Sequence, residues 1–190
     1  MLLRNIREYT VAAAHRGADA VASTCVRFIR STRAATAVEF GMVAAPFIAL
    51  LIAILQLAVV QIAQQVLQTA TNQAARLIMT GQAQNEGMTS SGFQQQVCNN
   101  ATPLFTCSNL YVNVQTFSSF SSVSMTNPDN NGTFNSSNLG YSPGADGDIV
   151  VVQSFYQWPV VLGPLGFNLS NMSGDNLLLV ATAAFRNEPY

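Results

Sequence analysis

The chain has 190 residues, of which only 9% are charged, against about 25% in an ordinary soluble domain. The single histidine is His15, so no Ser/His or Cys/His catalytic arrangement and no Cys/His metal site can form in the region beyond the N-terminal segment. From residue 35 onward acids outnumber arginines seven to two, which argues against nucleic acid as a partner.

Residues 1–34 form a basic leader. All eight basic residues are arginines, and Arg4, Arg7, Arg16, Arg27, Arg30 and Arg33 lie here. Apolar residues such as Leu3, Ile6, Val26 and Ile29 are scattered among them, a pattern open to an amphipathic helix on an anionic membrane face or to disorder. The plainer reading is a basic topogenic segment.

Residues 35–61 read as a transmembrane helix. Between residues 40 and 55 there is no charged or amide side chain, and with residues 57–60 beyond Gln56 the apolar stretch reaches the roughly 20 residues a spanning helix needs. More than thirty residues precede it and it is longer than a signal-peptide core of roughly 7 to 15 residues, so a retained anchor is expected. The positive-inside rule keeps the N-terminus cytoplasmic and sends the remainder across the membrane. Pro46 lies within the run, removes one helix hydrogen bond and favours a kink that lets neighbours pack. Glu39 stands at the mouth of the run, where a carboxylate is expensive. Its plain reading is an interfacial charge that ends the anchor.

Residues 62–190 are expected to form an exported α+β domain. The helical pattern continues through Ile62, Val66, Ala70, Ala74 and Leu77 or Ile78 and stops at Gly81. A helix over residues 37–80 would be roughly 65 Å long at about 1.5 Å per residue. A short helix is expected over 92–98, then strands over 109–117, 148–158 and 176–186, each bounded by turn residues. They predict a small antiparallel sheet packed on the helix stripe, an α+β layer. The connection between the first two strands is rich in Ser, Asn and Gly, contains the turn pairs Asn131-Gly132 and Asp146-Gly147, and reads as an exposed excursion with a short hairpin. Cys98 and Cys107 fall on the exported side, where an even pair reads as a disulfide, the alternative being two buried free thiols. Cys25, among the arginines, is expected to be free.

Motifs for chemistry are thin. Asp129 with Asn130 and Asn131, or Asp146 with Asp148, match no calcium loop, and turn chemistry accounts for them. Carboxylate-only hydrolysis at Asp146 and Asp148 is the remaining enzymatic reading, and it is disfavoured. No cofactor or metal is called for.

A basic segment ending at Arg33, small residues, then Glu39-Phe40 and a long apolar helix resembles the processing region of type IV pilin-like precursors. More specifically, "ATAVEFGMVAAPFIALLIAILQ", "QAARLIMTGQA", the Cys98 and Cys107 pair and the terminal "ATAAFRNEPY" resemble, in this order, the TadE-like family of pseudopilins from tight-adherence (Flp-type) pilus systems. The resemblance spans roughly residues 33–190. It implies cleavage between Ala34 and Ala35 by a prepilin peptidase, leaving Glu39 and Phe40 as the fifth and sixth mature residues. One position departs, since the family usually has glycine where Ala34 stands; alanine is also small. The implied role is a non-enzymatic minor pseudopilin of the bacterial inner membrane, with the major Flp pilin, other pseudopilins and assembly platform proteins as partners. The rival reading is a permanently anchored periplasmic binding module using the Ser/Asn-rich loop.

Overall fold

The computed structural model describes residues 32–160 and 168–190. The leader up to residue 31, with His15 and Cys25, lies outside the described residues. The chain divides into two units, Met1–Leu51 and Ile52–Tyr190.

Helix α1 (Thr32–Met79) runs through the division between the units. It has no glycine after Gly41, and leucine, alanine and glutamine, all good helix formers, fill half of its length. Arg76 lies in its last turn, where a cation favours the negative end of the helix dipole. After Met79 the chain must turn, and Gly81 takes φ 75°, a left-handed conformation that only glycine adopts cheaply. The ring of Tyr190 lies directly over Gly81, so that a Cβ there would overlap it. The N–H of Glu188 donates to the Met79 carbonyl at 2.9 Å, and the C-terminal tail thus covers the end of α1.

A single-turn helix α2 (Gln82–Asn85) leads into α3 (Ser90–Ala101). Thr89 caps α3 by accepting the N–H of Gly92 at 3.2 Å. Phe93, Val97, Cys98 and Ala101 are its buried face. It is longer at both ends than the 92–98 segment expected from the sequence: Thr89 supplies a cap four residues before Phe93, and at the other end the helix runs on to the buried Ala101.

Three strands make the main sheet: β1 (Leu110–Phe117), β4 (Ile149–Pro159) and β5 (Asn176–Arg186), in the order β1-β4-β5 and antiparallel throughout. A two-stranded hairpin, β2 (Asp129–Asn130) and β3 (Thr133–Phe134), lies in the long connection. Asn131 (φ 53°) and Gly132 (φ 80°) form its turn, matching the two left-handed positions of a type I′ hairpin. Central strand β4 reads IVVVQSFY and is buried on both faces, which is why its apolar residues run on without alternating.

One face of the sheet carries Leu110, Val112 and Val114 on β1, Val150, Val152 and Tyr156 on β4, and Leu179 and Ala181 on β5, with Leu110 paired to Tyr156 and Val114 to Val152. It packs on α1 through Ala63, Leu67, Ala70, Ala74, Ala75 and Ile78. The stripe expected from spacing is therefore corrected at its start: Ile62 is 58% exposed, and Ala63 and Leu67 take the contact. Val66 and Leu77 sit at its flank, partly buried. Small side chains bring the helix backbone close to the sheet, and spacing alone could not tell Ile62 from Ala63.

The opposite face is covered by the long connection. Asn113, buried on β1, donates to Gln153 on β4 at 3.2 Å and to Thr126 at 3.0 Å, and accepts the N–H of Gly140 at 2.8 Å. Phe134 of the hairpin packs against Tyr111 and Phe155. The excursion is thus a lid on the sheet rather than a free loop. Both sheet edges are occupied as well. On the β1 side Val114 exchanges backbone hydrogen bonds with Gly140 and Ser142 at 2.8 and 2.9 Å.

Tyr141 lies between those two contacts, its ring 5.8 Å from that of Phe93. Its hydroxyl is buried with no partner among the described residues, and burial pushes its pKa above the ordinary 10.0. Because the folded state resists ionisation, the unfolded chain loses this proton first. Stability contributed by the neutral phenol is then lost as pH rises above the unfolded value. Tyr141→Phe is expected to leave stability at neutral pH unchanged or slightly raised and to move the alkaline unfolding midpoint upward, as read by circular dichroism against pH. Leu67→Ala is expected to cost about 2 to 5 kcal/mol in denaturant unfolding of the full chain in detergent, while Ile62→Ala should stay within about 0.5 kcal/mol.

Candidate functional site

The candidate site is the exposed apolar surface of α1. In the first unit Phe40 and Met42 are each 74% exposed, and Val43, Phe47 and Leu50 are also exposed. In the second unit Leu55, Leu57 and Val59 continue the series. Between Thr36 and Met79 the helix contains a window of mean hydropathy 2.7 that is almost wholly uncovered. Exposed apolar surface of this extent is covered in a working protein by lipid or by partner chains. Among the described residues α1 is the one helix long and apolar enough to cross a membrane, as a single-pass protein requires.

The residues that the resemblance singles out fall at the start of this surface. Ala34 and Ala35 lie in the first turns of α1, Glu39 follows on the same helix with its side chain exposed, and Phe40 opens the apolar run. Pro46 is inside the helix, where its ring removes the N–H that would bond the carbonyl four residues earlier.

Where α1 joins the second unit its polar side chains take up a task that spacing did not reveal. Gln64 Nε2 donates to the Val180 carbonyl at 2.7 Å, and Gln68 Nε2 donates to the Thr182 carbonyl at 2.9 Å. The Thr182 N–H donates back to Gln68 Oε1 at 3.3 Å. Two glutamines one turn apart therefore stand in for a missing strand along the outer edge of β5, satisfying groups that would otherwise template association. The signal in the sequence was the pair of amides at a spacing of four, next to the residues that enter the core.

Elsewhere the described residues do structural work. Cys98 and Cys107 form a disulfide with a Cα–Cα distance of 5.5 Å, tying α3 to the turn before β1. Gln94 on α3 donates to the Leu110 carbonyl at 2.6 Å beside it. Asp129 accepts the Gly132 N–H at 2.8 Å, and Asp148 accepts the Ala145 N–H at 2.8 Å. These carboxylates hold turns, as their sequence context implied. Among the described residues no group of three or more His, Cys, Asp or Glu is placed to hold a metal.

Residues 34–76 match the model of the family described as TadE-like protein, bearing out the resemblance read from the sequence over this stretch. The match covers the apolar surface, Ala34, Ala35, Glu39 and Phe40, and the two edge-capping glutamines, and it stops before α2 and the sheet. No curated protein and no solved structure matches the chain.

Removing the amide at position 68 should expose the β5 edge. Gln68→Ala is expected to lower unfolding stability by about 1 to 2 kcal/mol and to speed amide hydrogen exchange at Thr182, measured by mass spectrometry on the full chain. Gln73→Ala, on an exposed part of the same helix, should change neither.

Proposed function

We propose that this chain is a non-enzymatic minor pseudopilin that takes part in assembly of an adhesive Flp-type pilus. The observation that carries the reading is the coincidence of the family match over residues 34–76 with the exposed apolar helix that begins at Glu39 and Phe40. In this reading the leader is cytoplasmic, the helix spans the bacterial inner membrane once, and the sheet domain is periplasmic. The arginine distribution supports that orientation.

A prepilin peptidase removes the leader between Ala34 and Ala35. The cut creates an α-amine four residues before Glu39. In a low-dielectric bundle of helices an isolated carboxylate is expensive, and an ammonium beside it offsets that cost. Pairing of the amine of one subunit with Glu39 of the next fixes their axial register. Phe40 and the apolar surface beyond it then supply the packing between helices, which in a membrane rests on close van der Waals contact. The major Flp pilin, other pseudopilins and the assembly platform are the partners such a surface serves.

Intact mass and N-terminal sequencing of the protein recovered from membranes, with and without the prepilin peptidase, test the reading. The expected result is a peptidase-dependent terminus at Ala35. A chain that retains its leader in both strains would sink the processed-pseudopilin model in favour of a permanently anchored binding module.

A further inference from the structure

The second unit contains a cavity of about 410 Å³ with one wall on α1, at Ile52, Leu55 and Val59, and the other on the sheet tip, at Trp158, Val160 and Leu169. No charged side chain lines it. The depth of the helical wall follows from the sequence. Counting from Phe40, the roughly 20 residues that cross the hydrocarbon core end near Val59. Leu55 and Val59 therefore lie in the last turns of the span on the domain's side, with Ile52 deeper, so the groove opens at the domain-side boundary of the hydrocarbon core.

Two further observations agree with that placement. No described residue between Asp148 and Asp175 carries a charged side chain, so the residues that line the groove bring no charge into an apolar interface. Trp158, the single tryptophan, is half-buried at the end of β4, and tryptophan is the residue that favours the bilayer boundary. Asp175 sets the limit of immersion: its carbonyl accepts the Val160 N–H at 2.9 Å, and its side chain is exposed. The tip thus reaches the interface and not the bilayer centre.

We propose that the groove is filled by an acyl chain of a lipid in the leaflet on the domain's side, so that the sheet tip is seated in the bilayer interface and not held clear of it. The inference rests on the membrane span alone and is independent of the pilus role. Lipid is the occupant because the helical wall is continuous with the lipid-facing surface of the span.

The full chain, reconstituted in phosphatidylcholine vesicles at low protein density, tests this through the fluorescence of Trp158. Lipids brominated near the glycerol end of the acyl chain should reduce its emission to about half or less, as expected for an indole at the interface. Lipids brominated near the terminal methyl should quench it less, and aqueous iodide hardly at all. Emission quenched by iodide and not by bromolipid would place the tip in water and overturn the proposal. Emission that resists both quenchers would mean that protein, such as the helix of a second copy, fills the groove, which overturns it equally.

Discussion

The contact on which the second unit depends is the seating of Ala63, Leu67, Ala70, Ala74 and Ile78 of α1 against one face of the sheet. A small sheet with one apolar face must bury that face against another layer, and an amphipathic helix has little stability until its stripe is covered. Each supplies the surface the other lacks. The alanines matter as much as the larger residues, because they let the helix backbone approach near enough for Gln64 and Gln68 to reach the edge of β5.

That approach ties together tasks that are usually separate. The same helix offers its apolar surface to lipid over one stretch and its small-residue stripe to the sheet over the next, while its amides close a sheet edge. The opposite edge is closed by residues 140–142, and the second face by the hairpin and the Asn113–Gln153 network. Such closure keeps the second unit from associating through its sheet, since an open edge would pair with any neighbouring strand. The disulfide and the tail over Gly81 fasten the two remaining loose regions, α3 and the end of α1.

The chemistry of the surface follows the same division of labour. Carboxylates in the second unit such as Asp129 and Asp148 are engaged in turns, whereas Glu39 lies on an exposed helical surface with apolar residues beyond it. A charge in that setting has a strong energetic reason to find a counter-charge when the helix is packed among others.

Much of the architecture was legible in residue order. The span, the three main strands, the hairpin turn at Asn131-Gly132 and the stop at Gly81 each depend on local properties: hydropathy over some 20 residues, strand patterning, and backbone conformations that few residues tolerate. The position of Ala34, Ala35 and Glu39 at the start of the long helix was legible for the same reason, since it depends on a contiguous pattern. What residue order left open is everything set by approach across the chain. Ile62 and Ala63 are equivalent by spacing, and only the sheet's position decides that alanine faces it. Gln64 and Gln68 read as a polar helix face until β5, more than a hundred residues away, presents its edge. The Ser/Asn-rich connection is largely exposed, as its polar residues imply, yet the N–H groups of its Thr126 and Gly140 and the ring of Phe134 meet partners on the far face of the sheet. Local sequence determines conformation where the energies are local; tertiary packing alone decides which of several equivalent side chains is buried and which partner a polar group meets.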